Sequence, residues 1–210
     1  MTVEILLVDP EEPSGPVLDR ALGVLAAGGL LIYPTDTLYA LGGLALVAQA
    51  AVQVRAAKGR PEEKALPLIV GSPQQAADLA AVWPAVAEKL ARRFWPGPLS
   101  LVVVARSGLP EALLGGGTTL AMRVPARALP RLLALAAGPL ISTSANRSGE
   151  PAPLTCAEAL ASLGACAADL ALDGGPGRNL PSTGVDLTGP RPRLLRAGLV
   201  AWDDVLAALG

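Results

Sequence analysis

The sequence predicts an α/β fold, a single domain built on a mixed sheet rather than a regular βαβ array. Three observations predict it. Short apolar runs alternate with stretches of helical periodicity along the chain. Proline, serine and threonine stand where helices should start, and glycine where they should stop. No internal repeat or flexible linker interrupts the 210 residues, a length that suits one large core or two small ones.

The elements follow in order. Residues 16–27 (PVLDRALGVLAA) begin with Pro16, stop at Gly28-Gly29 and read as a helix; LLIYP (30–34) is a short buried strand. Residues 46–58 form a helix ending at Lys58, with Gly59 as the left-handed stop. LPLIVG (66–71) is a strand, and Ser72-Pro73 opens a helix with Ser as cap and Pro in the first turn. A helix runs from Trp83-Pro84 through Arg92 and Arg93. LSLVVVA (99–105) reads as an apolar strand covered on both faces. TLAMRVP (119–125) is a strand carrying one arginine, ALPRLLALAAG a helix, and PLISTSA (139–145) a strand. Thr155 and Glu158 make a capping box for the next helix. ADLAL (168–172), TGVDLTG and RLLRAG are short strands around the Gly/Pro-rich loop 173–182, and AWDDVLAALG closes with a helix.

Composition removes several functional classes. The formal net charge is −1, so no global basic field draws the chain to nucleic acid or membrane. The start, MTVEILLVDPEEPSG, has no basic region leading into an apolar core, which predicts a mature, cytoplasmic protein. Residues 37–54 (TLYALGGLALVAQAAVQV) are nearly uncharged, but Gly42-Gly43, Gln49 and Gln53 interrupt them; a strand end, a loop and a buried helix fit better than a membrane span. Cys156 and Cys166 fall within or just past one predicted helix, without CxxC spacing. The chain contains no histidine, so a structural zinc site, a Ser–His triad and an imidazole base are not expected.

Three stretches concentrate polar chemistry. In ISTSAN (141–146), strand alternation projects Ser142, Ser144 and Asn146 to one face and Thr143 to the other. That row is either a hydrogen-bonding wall or a strand end whose side chains bond their own loop. KGRPEEK (58–64) holds two of the three lysines. It reads as a solvated charged turn or as an anion clamp, with Lys58 and Lys64 as point charges and Arg60 as a forked donor. Arg123 sits inside a strand of a buried sheet and needs an anionic partner there, either an internal carboxylate or a substrate's. YPTDTLYALGG (33–43) places Thr35, Asp36 and Thr37 at a strand end, where α/β folds often bind ligands.

Together these stretches resemble the YrdC-like family, the L-threonylcarbamoyladenylate synthases of tRNA modification. YPTDTLYALGG, KGRPEEKALPLIV, FWPGPLSLVV, AMRVPAR, LISTSANRSGEPAP, DGGPGRNLPSTGVDL and LLRAG occur in family order over about residues 30–198. The resemblance implies a twisted open mixed sheet around a large concave cavity, in one domain over 1–210 without the additional C-terminal domain of longer members. It implies that ATP, L-threonine and bicarbonate become threonylcarbamoyl-AMP and pyrophosphate, with Mg²⁺ on the ATP phosphates and no protein-held metal. It implies a downstream transferase complex acting on adenosine 37 of tRNAs reading ANN codons, and weak tRNA binding at most.

By motif, Lys58, Arg60, Ser144 and Asn146 take the catalytic positions, and these four with Lys64, Thr119 and Arg196 the ATP positions. Thr37, Arg123, Ser142 and Ser182 take the threonine positions, with Arg123 on the carboxylate. The chain departs from the pattern at Gly71 and Arg127, where many members carry histidine, and at Ala152, where many carry serine. The alternative is a non-catalytic module binding structured RNA through the same basic cavity. The balanced charge and the 3% aromatic content weigh against it.

Overall fold

The computed structural model describes residues 3–164, 167–178 and 181–210. Cys166 and part of the loop 173–182 lie outside the described residues. In chain order the elements are β1 (Glu4–Leu7), α1 (Gly15–Ala26), β2 (Leu31–Pro34), β3 (Tyr39–Gly42), α2 (Ala48–Lys58), β4 (Leu68–Ile69), α3 (Pro73–Leu79) and α4 (Ala85–Phe94). Then come β5 (Leu99–Val104), α5 (Glu111–Leu114), β6 (Thr119–Arg123), α6 (Ala128–Ala137), β7 (Leu140–Ile141), β8 (Thr143–Ser144), α7 (Cys156–Leu163), β9 (Leu170–Asp173), β10 (Thr183–Asp186), β11 (Arg193–Arg196) and α8 (Trp202–Leu209).

The local signals behave as their chemistry dictates. Ser72 caps α3 by accepting the Gln75 amide. Thr155 and Glu158 form both halves of the capping box on α7. Gly59 stops α2 in the left-handed conformation, at φ 58°.

The mixed sheet is two sheets. One has the order β1-β9-β2-β3-β8 and the other β11-β10-β5-β6-β4-β7, each with parallel and antiparallel pairs. The predicted strand 139–145 is the join between them. Its first half, β7, pairs with β4 in the second sheet, and its second half, β8, pairs with β3 in the first. Ser142 stands at the break, its amide donating to Pro67 O. The join is tight enough to require a glycine across from it: a Cβ on Gly42 would lie 1.6 Å from Ile141 O. Tyr33 Oη, fully buried, donates to that same carbonyl at 3.0 Å.

The predicted double coverage of 99–105 is corrected by the structure. Leu99, Leu101 and Val103 are buried in the core, whereas Ser100 and Val102 lie on a cavity and Val104 is exposed. One face of β5 packs into the core and the other forms a wall of the cavity. β6 follows the same alternation: Leu120 and Met122 face the core, Ala121 and Arg123 the cavity. Two apolar clusters hold the layers. One gathers Val54, Leu90, Leu101, Met122 and Val185; the other packs α1 and α6 onto β2 through Leu25, Tyr33, Leu133 and Leu140.

Candidate active site

A concave cavity of about 510 Å³ lies where the two sheets meet. Thr35 and Thr37 reach it from the β2–β3 turn, Ala121 and Arg123 from β6, and Ser142, Thr143 and Ser144 from the join. Ser100, Ser182 and Arg196 come from β5, the start of β10 and β11, Arg60 from the turn after α2, and Ala152 from the segment before α7. Among the described residues no carboxylate lines this cavity, while Arg60, Arg123 and Arg196 do.

Arg123 has an internal carboxylate as its partner and also lines the cavity. Its Nη1 is paired with the Asp36 carboxylate, and Nη2 donates to Thr37 Oγ1 at 3.4 Å. Both side chains of the ion pair are nearly buried, at 7% and 12% exposure. Thr37 is further held by Thr35, the two hydroxyl oxygens lying 3.0 Å apart. Farther along the sheet that carries Arg123, Arg196 donates through Nε and Nη2 to Ser182 O and Ser182 Oγ, at 2.9 and 2.8 Å. Ser182 Oγ also contacts Ser100 Oγ at 2.8 Å. Burial, and then the Arg123 charge, push Arg196 below the usual arginine range.

Thr37, Arg60, Arg123, Ser142, Ser144, Ser182 and Arg196 therefore converge as lining residues. Lys58, Lys64, Asn146 and Thr119 do not. Lys58 is only 3% exposed and turns behind the wall, where Nζ donates to Ser144 O and Asn146 O and to Asn146 Oδ1 at 3.4 Å. Burial, and then Arg60, push its pKa down to about 8. Asn146 also turns inward, its Nδ2 donating to Arg147 O at 3.0 Å and Glu150 O at 2.6 Å. β8 ends at Ser144, so the strand alternation does not extend to Asn146 and the expected row stops at Ser144. Thr143, assigned from alternation to the opposite face, is buried and borders the cavity. Lys64 is exposed on its turn, and Thr119 sits two residues before Ala121 in the β6 row.

Several residues of the site were not singled out from sequence. Ser100 was hidden inside an apolar run, although alternation on β5 would have placed it opposite Leu99 and Leu101. Asp36 was noted in its turn but not as the partner of Arg123. Arg55, buried at 8% exposure in the last turn of α2, donates to three main-chain carbonyls of the neighbouring loops. Beyond Asp36 lies a small polar chamber of about 180 Å³, lined also by Glu11, Arg127 and Arg178. The buried Asp36 Oδ2 and Arg127 Nη1 have no direct partner among the described residues, and the chamber that both border is roomy enough to hydrate them.

This two-sheet architecture, with an arginine- and hydroxyl-lined cavity at the join, defines a class. The family model described as Sua5/YciO/YrdC, telomere recombination, matches residues 23–198. The chain belongs to this family. A protein of Mycobacterium tuberculosis is 37% identical over 211 residues, covering 100% of this chain and 96% of its own length. The threonylcarbamoyl-AMP synthase of Pyrococcus abyssi is 38% identical over 192 residues, covering 90% of this chain and 56% of that protein. Among solved structures, P. abyssi Sua5 complexed with L-threonine superposes with a TM-score of 0.92 at 35% identity, over 98% of this chain and 61% of that one. E. coli YciO superposes with a TM-score of 0.85 at 26% identity, over 95% and 97%. The chain thus spans nearly all of the mycobacterial relative but about 60% of the P. abyssi chain.

Proposed function

We propose that the chain is an L-threonylcarbamoyladenylate synthase, joining L-threonine, bicarbonate and ATP into threonylcarbamoyl-AMP with release of pyrophosphate. The product would feed a separate transferase that modifies adenosine 37 of tRNAs reading ANN codons, in the cytoplasm. One observation carries this reading: a single cavity brings three arginines together with a set of hydroxyls and has no lining carboxylate among the described residues. Such a lining suits one ligand with a carboxylate and another with phosphates. The naming of the P. abyssi relative and the L-threonine complex of P. abyssi Sua5 support the same assignment.

In this reading Arg123, fixed by Asp36, takes the threonine carboxylate, while Thr37, Ser142 and Ser182 orient the amino acid. The threonine amine and bicarbonate condense to a carbamate, the new C–N bond replacing a C–O bond of bicarbonate as water leaves. A carbamate oxygen then attacks the α-phosphorus; the new O–P bond forms as the bond to the β-phosphate oxygen breaks, and pyrophosphate leaves with its electron pair. Arg60, Arg196 and the more exposed Lys64 offset the phosphate charge, with Thr119 and Ser144 completing the nucleotide side. No enzyme nucleophile takes part, so the protein contributes positioning and charge stabilisation. Lys58 and Asn146 act from behind the wall: Lys58 holds the main chain of Ser144 and Asn146, and the Asn146 side chain ties Lys58 to the following loop through Arg147 O and Glu150 O.

Mg²⁺, bound through the ATP phosphates, would supply charge neutralisation there. The arginines and hydroxyls of the cavity suit the phosphates that would carry the ion. Also among the described residues, no helix is long and apolar enough to cross a membrane.

The test is pyrophosphate release from ATP and bicarbonate with each amino acid in turn. Release selective for L-threonine is expected. No release with any amino acid, together with tight binding of structured RNA, would replace this reading with the RNA-binding one.

A further inference from the structure

The KGRPEEK turn offers little of its own to hold it. Pro61, Glu62, Glu63 and Lys64 are all exposed, yet Arg60 at its start borders the cavity. The holding groups lie outside the turn. Arg55, one helical turn before Lys58 on α2, spends its whole guanidinium on main-chain carbonyls: Nη1 donates to Pro61 O at 2.6 Å, Nη2 to Lys64 O at 2.9 Å and Nε to Ala112 O at 2.7 Å. Two of these carbonyls are the two ends of the turn and the third belongs to α5. From the other side Gly115, the left-handed stop of α5, presses on the turn; a Cβ there would lie 2.5 Å from Glu62 O. The exit of the turn is tied to α5 as well, Leu66 N donating to Leu113 O at 2.9 Å.

Arg60 depends on this frame. Its Nη2 donates to Ala65 O at 2.8 Å and its Nε approaches Lys64 O at 3.5 Å, the same carbonyl that Arg55 holds. A planar fork with several fixed donors is suited to bracing a turn, which a point-charge lysine is not. Arg55 also lies close enough to Arg60 for their like charges to repel. The main-chain carbonyl dipoles around the two guanidiniums, with Lys64 O between them, let them sit side by side.

We infer that Arg55 is the positioning residue for the anion-binding turn: by clamping Pro61 O and Lys64 O to α5 it fixes Arg60 toward the cavity and so sets affinity for the triphosphate end of ATP. This rests on the function proposed above for its ligand, but the clamp itself does not.

The experiment therefore has two arms. In the first, wild type, Arg55→Met and Arg55→Lys are digested briefly with trypsin and the fragments identified by mass. Pro61 protects the bond after Arg60 and Lys58 is buried, so Lys64–Ala65 is the accessible bond of the turn. Cleavage there is expected to rise at least tenfold in Arg55→Met and less in Arg55→Lys, with the rate at Arg106–Ser107 unchanged. Equal rates after Lys64 in wild type and Arg55→Met would overturn the clamp. A rise at both bonds would overturn it too, because the loss would then be global unfolding.

In the second arm, threonine-dependent pyrophosphate release is measured. KM for ATP is expected to rise about tenfold in Arg55→Met while KM for threonine stays within twofold, with partial recovery in Arg55→Lys. Equal rises in both constants, or no change in KM for ATP, would overturn the positioning role. If wild type releases no pyrophosphate, the proposed function fails while the first arm still decides the clamp.

Discussion

Replacing Asp36 by asparagine isolates the charge that holds Arg123. The isosteric amide keeps one oxygen for the guanidinium, and Thr37 Oγ1 still accepts from Nη2, so geometry changes little while the counter-charge disappears. Unit charges about 4 Å apart attract by about 4 kcal/mol at an effective dielectric of 20. Removing one member of a buried pair typically costs about 3–5 kcal/mol. With Arg123 at 6% exposure and both hydrogen bonds retained, the low end applies, about 3 kcal/mol. For a chain of this size that lowers Tm by about 6–12 °C.

The variant also carries an internal control. Its Arg123 lacks a counter-charge until a carboxylate enters the cavity, so saturating L-threonine should raise Tm more in Asp36→Asn than in wild type. L-threonine amide, which has no carboxylate, should give no such extra shift. Scanning calorimetry with and without each ligand reads both effects. A loss below about 1 kcal/mol, far under the cost of a broken buried pair, would refute the reasoning, as would equal threonine shifts in the two proteins.

Other expectations follow from the same geometry. Lys58→Met leaves Ser144 O and Asn146 O without their buried donor and should abolish threonine-dependent pyrophosphate release, measured by a coupled phosphate assay. The folded pKa of Lys58 is pushed down to about 8 by burial, below its unfolded value, so the unfolded state holds more protons between the two. The stability contributed by this group therefore rises with pH from about 8 toward 10.5, while activity that needs the ammonium falls; urea titrations from pH 7 to 10 should show the rise in wild type and not in Lys58→Met. Gly42→Ala drives a Cβ into Ile141 O and should cost at least about 3 kcal/mol. Gly23→Ala, in open space on α1, should stabilise by about 0.5–1 kcal/mol, and urea midpoints compare the two. EDTA should abolish pyrophosphate release and leave the Tm of the ligand-free protein unchanged.

Local chemistry was the most legible part of the fold. The Ser72 cap, the Thr155–Glu158 box and the Gly59 stop need only neighbours in sequence, and each stands where its residues put it. β3 was concealed because Tyr39–Gly42 is buried throughout and so shows no alternation. β1 was passed over for the opposite reason: its residues are mostly exposed, and its pairing with β9 bridges more than 160 positions. The division of 139–145 into β7 and β8 depends on which distant strands each half meets, which an apolar pattern does not encode. In the site, residue types at strand ends singled out Thr37, Arg123, Ser142 and Ser144, the family motifs added Ser182 and Arg196, and all six line one cavity. Residue types and motifs were not enough to reveal that Lys58 faces main chain and Asp36 faces Arg123, since both depend on turns packed across sequence gaps of more than eighty residues.

The strand that changes sheets at Ser142 has a consequence for how the protein breathes. Because β7 and β8 are consecutive links of one backbone, neither sheet can detach without tearing a wall of the cavity. A ligand seated there acts as a rivet through both halves. Amide hydrogens of β4 and of β3, which share no strand, should then slow their exchange together when the cavity fills, and the opening of either half should be felt first as loss of grip on the ligand.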